Sequence, residues 1–481
     1  PRHVQGYLWP YGTLCVACAA ATRSAPLWRD LDFSGDGRMA ALSSSDILDL
    51  LQRYGRGVLE RLVLRGLDTV DDTLITGIAE LFSSGPLRIL DVGGCPQISG
   101  AALPSCGNIP TLEELGAECI ASLEDQHIED LCRRCPSLCR LDLRFCEALT
   151  NIAVFSRRPR AWQALQLDGC FRLNVAQMFR VPTPDAWARL QELSLDGEDL
   201  DAQQLSLIAG TFVGLRRLTV SFARELDAVT LQGLAMLGSM DSLTLRKASQ
   251  PADADWAAFF TAQRAAWLRA QVTALSPPAD VCVSADVGTM HIEGAVVTGG
   301  DGAQWRLLNV AECEHFADLA ASALASAPLP QLREIDLSWC WHLTDSGLSA
   351  LLGAADGLVR VKLAGMKSVT TNGIAPCCRM PRLAELDCTS CNSMDDGMLE
   401  FIHRLFAGPP GSGASYALPG GELPPLVTGA AEALWRRRSR GARPLQVKNY
   451  YAEYIQDWGQ MRPPQEVCNI AEQLLAKARF Y

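Results

Sequence analysis

One pattern of apolar and polar positions recurs along most of the chain. Its clearest copy has apolar side chains at Leu332, Ile335 and Leu337, followed by a small residue at Cys340. Apolar residues at alternate positions indicate a short β-strand with one buried face. A further apolar residue, Leu343, follows the cysteine, and an apolar stretch with helical spacing comes after it. Each copy of the pattern therefore predicts a strand, a turn and a helix.

The copies follow one another at roughly constant intervals of 24 to 28 residues, apart from one larger gap. Their first apolar positions are Leu59, Leu87, Leu112, Leu138, Trp162, Leu190, Leu215, Met240, Trp305, Leu332, Leu358 and Leu383. A period of this length is the leucine-rich-repeat pattern. The sequence therefore predicts an α/β solenoid of about 12 or 13 repeats, with strands on its concave face and helices on its convex face. Thr344, which precedes Asp345, is the expected N-cap of one of these helices.

The gap between Met240 and Trp305 is expected to contain one or two irregular repeats. Residues 281–283 and 291–297 are candidate strands within it, and residues 252–270 form a predicted helix. This helix carries four aromatic residues, Trp256, Phe259, Phe260 and Trp267. Aromatic residues at helical spacing are usually core residues, so we expect core packing, with a partner-binding site as the alternative.

The composition changes on both sides of the repeats, and this change predicts four segments. They are an N-terminal cap at 1–45, a solenoid at 46–406 that is irregular over 246–304, a Gly- and Pro-rich linker at 407–425, and a helical tail at 426–481. The tail contains Tyr450, Tyr451, Tyr454 and Trp458. Two interpretations of the tail stay open: it covers the last repeat, or its aromatic side chains anchor in a partner's pockets.

The charge and hydropathy exclude several classes of protein. A hydrophobic content of 48% with 20% charged residues is typical of a globular chain and not of a disordered one. The net charge of −11 leaves no broad positive field to attract phosphate groups, so we expect no nucleic-acid partner. No apolar run is long enough to span a membrane, so no membrane segment is expected.

The cysteines are spread through the chain and recur at the turn position of the repeat. Cys95, Cys146, Cys170, Cys313, Cys340 and Cys391 occupy that position. This distribution favours buried, reduced thiols over a disulfide framework. We therefore expect an intracellular and most simply cytoplasmic protein, with an organellar or axonemal assembly as the alternative.

The sequence carries no established catalytic or metal-binding motif. Cys132, Cys135, Cys139 and Cys146 are close enough together to suggest zinc, but the repeat register explains their positions as core or turn residues. The chain has no paired histidines at helical spacing, no phosphate-binding loop and no nucleophile elbow. We therefore expect no enzyme activity, no cofactor and no metal.

The residues that alternate with the buried leucines are expected to form a binding surface on the strands. Charged and aromatic residues are the candidates there, namely Arg61, Arg140, Asp142, Arg144, Phe145, Arg217, Phe222, Asp336 and Trp339. Exposed aromatic residues beside charged ones are typical of protein interfaces, and their mixed signs favour a protein over a polyanion. The alternative is a solvated ladder of alternating charges with no partner.

The N-terminal segment carries a resemblance to a known family. A cysteine-containing helix leads into Leu27-Trp28-Arg29 and then into cysteine-type repeats. This order resembles the end of the F-box in F-box/leucine-rich-repeat proteins, and the similarity extends over roughly residues 7 to 403. The F-box is expected to be incomplete or degenerate, because its adaptor-gripping Leu-Pro-containing helix does not precede Trp28.

The resemblance implies a function in a hetero-complex. It implies a substrate receptor of an SCF-type ubiquitin ligase, with a Skp-family adaptor as one partner and the target protein on the concave face. The alternative is a structural subunit of a large stable assembly, such as an axonemal or mitochondrial complex. In that case the solenoid and the aromatic tail would serve as docking surfaces.

Overall fold

The structure is a computed structural model with a repeating α/β architecture. It describes residues 28–34, 42–151, 155, 162–174, 187, 189–198, 200–275, 289–292, 295–298, 305–370, 372–391, 393–394 and 446–448. The chain forms two compact units, the first ending at Leu245 and the second beginning at Arg246. In both units short parallel strands alternate with turns and helices, as the leucine-rich-repeat pattern predicts.

The strands of the first unit form one parallel sheet in chain order. They are β1 Asp30–Asp32, β2 Arg61–Val63, β3 Ile89–Asp91, β4 Glu114–Gly116, β5 Arg140–Asp142, β6 Ala164–Gln166, β7 Glu192–Asp196, β8 Arg217–Ser221 and β9 Ser242–Leu245. The register is the same at each step, so that Leu62 lies opposite Leu90 and Leu90 opposite Leu115. Because equivalent leucines stack, the second residue of every strand is a leucine buried in a continuous core.

The described helices of the first unit cover this core. They are α1 Ser44–Leu50, α2 Asp72–Leu81, α3 Asp125–Arg134, α4 Ala202–Thr211 and α5 Ala228–Ala235, and a π-helical turn at Leu51–Gly55 continues α1. Asp71, Asp201 and Asp227 cap α2, α4 and α5 through hydrogen bonds from backbone N–H groups. One repeat has a 3₁₀ helix at Gly100–Asn108 instead, and it contains Pro104, which cannot donate a helical hydrogen bond.

The second unit begins with a long helix and a separate hairpin. The helix is α6 Asp253–Leu275, and the hairpin pairs β10 Thr289–Ile292 with β11 Ala295–Thr298 in antiparallel fashion. The parallel strands of this unit are β12 Leu307–Asn309, β13 Glu334–Asp336, β14 Arg360–Lys362, β15 Glu385–Asp387 and β16 Gln446–Lys448. The described helices that alternate with them are α7 Asp318–Leu324, α8 Asp345–Ala354 and a 3₁₀ helix at Ala375–Arg379. Thr344 caps α8 as predicted.

The structure describes part of the gap between Met240 and Trp305, and the candidate strand at residues 281–283 lies outside the described residues. Residues 291–297 contribute to two antiparallel strands and not to one repeat strand. The backbone N–H of Lys247 bonds to the carbonyl of Ala311 at 3.2 Å, and this bond links the turn before the gap directly to the turn after it. In the described part of the gap, the chain therefore adds a longer helix and a hairpin to one repeat. In the sequence, the alternating apolar residues of the hairpin give the same pattern as a repeat strand.

The aromatic residues of α6 belong to the core of the second unit. Trp256, Phe259 and Phe260 are buried, which confirms core packing for these three. Phe260 contacts both Trp305 and Phe316 edge to face, with ring centroids 6.3 and 6.2 Å apart. These contacts attach α6 to the repeat that follows.

One described strand lies beyond the predicted end of the repeats. β16 adds a strand beside β15, although the sequence analysis predicted only a linker and a helical tail after residue 406. A three-residue strand outside the period has too few apolar positions to be recognised. The predicted segment boundaries otherwise stay predictions.

Among the described residues, no helix combines the length and the apolar character needed to cross a bilayer.

Candidate protein-binding surface

The cysteine of each repeat closes the turn that follows a strand. Cys146 and Cys340 are buried, and their Sγ atoms donate to the carbonyl oxygens of Ala117 and Val310 in the preceding repeat, each at 3.2 Å. Burial raises the pKa of the Cys146 thiol to about 12. The recurring cysteines are therefore core residues with protonated, unreactive thiols.

The possible zinc ligands of the sequence are also accounted for by the core. Cys132, Cys135 and Cys146 are buried, and Cys139 is partly buried beside Glu113, whose carbonyl accepts from its thiol at 3.7 Å. Within the described ranges, no group of three or more His, Cys, Asp or Glu side chains is arranged to hold a metal ion.

The residue that precedes the turn cysteine of a repeat, or the apolar residue that replaces this cysteine, has a left-handed backbone conformation. Glycine occupies this position in several repeats, for example Gly169 and Gly365, with φ values of 77° and 70°. Phe145, Phe222 and Trp339 occupy the same position with φ values of 59°, 56° and 64°. Cys119, Lys247, Glu312 and Ser390 also have positive φ values at this position, so the repeat imposes the conformation on whichever residue stands there.

Two of these aromatic side chains lie over a glycine of the next repeat. A Cβ atom added to Gly169 would collide with the ring of Phe145, and one added to Gly365 would collide with the indole of Trp339. Both aromatic residues remain partly exposed, Phe145 by 44% and Trp339 by 42%. The neighbouring glycine therefore provides the space in which each exposed ring is held.

Two exposed aromatic residues were missed by the sequence analysis. Phe171 and Trp341 directly follow the cysteine of their turns and are 54% and 38% exposed. The Nζ of Lys367 lies 3.8 Å from the centroid of the Trp341 ring, a cation–π contact. Their position one residue after a buried cysteine was the available signal.

The strand surface between the leucines is a ladder of ion pairs. Arg140 lies 2.9 Å from Glu114 and 3.0 Å from Glu192, and Arg217 lies 2.6 Å from the same Glu192. Further pairs join Arg61 to Asp30, Arg65 to Glu118, Arg144 to Asp142 and Glu118, and Arg360 to Glu334. The charge ladder that the sequence analysis considered is therefore present.

The ion pairs of the ladder shift the pKa values of two residues that form them, Glu192 and Arg144. Burial raises the pKa of Glu192, but the hydrogen bond and charge of Arg217, together with Arg140 and Gln166, outweigh it and hold that pKa below its ordinary value. The hydrogen bond from Arg144 to Asp142 raises the pKa of the guanidinium against the effect of burial. These arginines are thus held in fixed positions by carboxylates of the same sheet.

The structure brings some of the candidate residues together and separates others. Arg140, Asp142, Arg144 and Phe145 share β5 and the turn that follows it. Asp336 lies at the end of β13, where its carboxylate accepts from the backbone N–H of Ser338 at 3.1 Å, next to Trp339 in the same turn. Phe222 is half-buried in the turn after β8. Tyr450, Tyr451, Tyr454 and Trp458 lie outside the described residues.

Comparisons with known proteins agree with the repeat architecture. The leucine-rich-repeat family profile, described as "Leucine Rich repeat", matches residues 330–352. No match is found among curated proteins.

Three solved structures illustrate the likeness of fold, each at 14% sequence identity. A chain of the Rad7 and Elc1 complex from yeast aligns with a TM-score of 0.48 over 79% of this chain and 90% of its own length. An internalin (inlF) from Listeria monocytogenes aligns with a TM-score of 0.35, over 71% of this chain and 76% of its own. TLR13, from its complex with ssRNA13, gives 0.34, with 70% and 53% covered.

Proposed function

We propose that this protein is a non-catalytic recognition protein that binds a partner protein through its strand surface and the adjoining turns. The observation that carries the proposal is the placement of Phe145 and Trp339. Each ring is partly exposed, lies over a glycine and stands beside a strand with charged residues. Rigid aromatic side chains with a polar surround are the usual energetic centres of protein interfaces.

The proposal includes no catalytic step. Burial removes the repeat thiols from solvent and raises the pKa of Cys170 and Cys313 to about 12, which leaves them poor nucleophiles at neutral pH. The arginines and carboxylates of the strand surface are engaged with one another. Fixed charges of both signs suit a protein partner better than a polyanion.

The finer proposal is a substrate receptor of an SCF-type ubiquitin ligase. It rests on the resemblance of Leu27-Trp28-Arg29 and the repeats to F-box/leucine-rich-repeat proteins. In support, Trp28 is buried and stacks on Tyr54 with ring centroids 4.6 Å apart, and β1 pairs with β2. The part of this segment that the structure describes therefore packs directly against the first repeat.

The second candidate is a structural subunit of a stable assembly, such as an axonemal or mitochondrial complex. The same burial of Trp28 favours it, because covering the open end of a repeat stack is a sufficient role for β1. This function would need no adaptor.

A native affinity purification of the full-length protein, read by mass spectrometry, tests the proposal. We expect a defined set of partners with the wild type, and a loss of about tenfold or more in their recovery with the F145A/W339A double variant. The matched control is V229A/L319A, because Val229 and Leu319 are exposed apolar residues on α5 and α7. Equal melting temperatures would show that both variants fold.

The identity of the recovered proteins distinguishes the two candidate functions, and their recovery with the variants tests binding through the turns. A Skp-family adaptor with a cullin would support the receptor, and a fixed set of structural proteins would support the second candidate. Recovery that is the same from F145A/W339A and from the wild type would contradict binding through these turns.

A further inference from the structure

At four successive strands of the first unit, the residue just before the strand alternates between arginine and glutamate. Arg29 and Glu60 precede β1 and β2, and their side chains lie 2.9 Å apart. Arg88 and Glu113 precede β3 and β4, and their side chains lie 2.6 Å apart. The hydrogen bond and the charge of Glu113 raise the pKa of the Arg88 guanidinium. At this edge of the sheet, these arginines therefore have carboxylate partners in the next repeat.

The corresponding edge of the second unit brings arginines together instead. Arg306 precedes β12 and Arg333 precedes β13, and the backbone N–H of Arg333 donates to the carbonyl of Arg306 at 2.9 Å. The guanidinium of Arg333 lies so close to Gly357 that a Cβ atom added to the glycine would collide with Nη1. Arg382 occupies the position of Gly357 in the next repeat, directly before the first apolar residue. Three arginines thus follow one edge of this sheet.

The three arginines lack the carboxylate partners that their counterparts in the first unit have. Within the described ranges, no carboxylate oxygen lies within 4.0 Å of the side-chain nitrogens of Arg306, Arg333 or Arg382. Partial burial lowers the pKa of Arg333, and the positive charges of Arg382 and Arg306 lower it further, while Asp356 has the opposite effect. At Arg333, the two positive charges outweigh the described negative one. A bound anion would relieve this repulsion.

Arg333 is held in place, and part of its guanidinium remains available to a ligand. Its Nη1 group donates to the carbonyl oxygens of Pro330 and Gly357 at 2.8 and 3.0 Å. Its Nε and Nη2 groups have no hydrogen-bond partner among the described residues, and the side chain is partly exposed. A guanidinium donates in a fork to a carboxylate, and a side chain that is already immobilised loses little entropy on binding.

We propose that Arg306, Arg333 and Arg382 bind an acidic segment of a partner protein, whose aspartate or glutamate side chains contact the guanidinium groups. The inference goes beyond the proposed function, because this surface lies at the opposite ends of the strands from Trp339. It adds a second contact of different chemistry, in which the protein supplies positive charge and the partner supplies negative charge.

The width of the arginine surface favours an acidic segment over other anions. Neighbouring strands of a sheet lie about 4.8 Å apart, so the backbone positions of the three arginines, from β12 to β15, span about 14 Å. Several carboxylates along one segment match this width, whereas a single phosphate group contacts only part of it. A nucleic acid would extend beyond this edge over a protein whose net charge is −11.

Peptide binding to the full-length protein tests the inference. The probes are two fluorescein-labelled peptides of equal length that alternate glycine with glutamate or with glutamine, and fluorescence anisotropy gives Kd. We expect the glutamate peptide to bind and the glutamine peptide to show no measurable binding. R306Q/R382Q should weaken binding of the glutamate peptide about tenfold, because it removes two exposed guanidinium groups that have no partner among the described residues.

A matched control variant separates this surface from a general effect of net charge. R29Q/R88Q removes the same charge from the equivalent edge of the first unit, where both arginines already pair with a glutamate. It should keep Kd within about twofold of the wild type. Equal melting temperatures would show that both double variants fold. An equal loss of binding in the two variants, or no loss in R306Q/R382Q, would overturn the inference.

Two further probes compare the acidic segment with other anions. They are a labelled peptide with a single phosphoserine and a short labelled oligothymidylate. Both should bind the wild type more weakly than the glutamate peptide does. If either binds more tightly and loses affinity in R306Q/R382Q, the surface recognises a phosphate group or a nucleic acid, and the inference of an acidic segment is wrong.

The F145A/W339A variant distinguishes failure of this inference from failure of the proposed function. It should bind the glutamate peptide as the wild type does, because both aromatic residues lie in turns that follow the strands. If F145A/W339A loses its partners and R306Q/R382Q binds the peptide normally, the arginine surface is wrong and binding through the turns stands. If R306Q/R382Q loses the peptide and F145A/W339A keeps its partners, the arginine surface stands and binding through the turns is wrong.

Discussion

At the scale of single residues, the turn position of the repeat selects cysteine for two reasons. The site is buried and small, and the thiol adds a hydrogen bond to a carbonyl of the preceding repeat, as Cys340 does to Val310 at 3.2 Å. The Val310 carbonyl also accepts from the backbone N–H of Cys313, so alanine would fill the space and lose only the additional bond from the thiol. Burial then raises the pKa of the Cys340 thiol well above its ordinary value, so the same environment makes the thiol inert.

Alkylation under native conditions checks this account. Iodoacetamide should leave Cys146, Cys340 and Cys391 largely unmodified, because burial raises the pKa of each thiol and excludes the reagent. Cys119 is exposed and should react first among the cysteines that the structure describes. Peptide mapping by mass spectrometry gives the modified fraction at each site. Rapid labelling of all three turn cysteines would contradict the repeat register.

At the scale of elements, an aspartate at the start of a helix joins that helix to the next repeat. Asp318 in α7 accepts from the backbone N–H of Thr344 at 2.8 Å, and Asp345 in α8 accepts from that of Thr370 at 2.7 Å. Asp253 in α6 does the same for α7, where it accepts from three N–H groups at 2.9 to 3.0 Å. The helix of the irregular segment is therefore connected like that of a regular repeat.

The D253A variant measures this connection. It should lower the free energy of unfolding by about 1 to 2 kcal/mol, because α7 has no side-chain cap of its own and would lose the carboxylate that binds its first turn. D345A is the matched comparison from a regular repeat and should cost a similar amount. Chemical denaturation gives both values. An unchanged stability of D253A would mean that water replaces the cap without loss.

At the scale of the whole molecule, stability in a repeat protein comes largely from contacts between neighbouring repeats, so the exposed end needs a cover. β1 provides one in the first unit: it pairs with β2, and Trp28 just before it is 6% exposed and stacks on Tyr54. The segment that carries the resemblance to an F-box thus has a structural role of its own.

The W28A variant tests the importance of this cover. We expect a loss of about 3 to 5 kcal/mol in the free energy of unfolding, the usual cost of removing a buried tryptophan. Hydrogen exchange should accelerate in β2 and α1 more than in β13 and α8, because neighbouring repeats lose their contacts first. W341A, which removes a partly exposed residue, is the control and should cost much less. Equal stability of W28A and the wild type would show that β1 is dispensable.

The interactions that link sequence-distant residues could be predicted only in part. The columns of charge on the strands followed from the repeat, and so did the exposure of Phe145 and Trp339. The structure of the gap before Trp305 could not be predicted from the repeat, because the alternating residues of a hairpin resemble those of a repeat strand. Phe171 was missed although it directly follows a buried turn cysteine, because only the residues that alternate with the strand leucines were considered as surface candidates.

The amino-acid sequence by itself determined the solenoid, because stacking short strands requires only that apolar residues return at a constant interval. Tertiary structure decided which charges meet. It gave Arg140 two carboxylates and made Asp253 the cap of a helix far along the chain. These outcomes depend on distances between side chains of neighbouring repeats, and a one-dimensional pattern does not contain them.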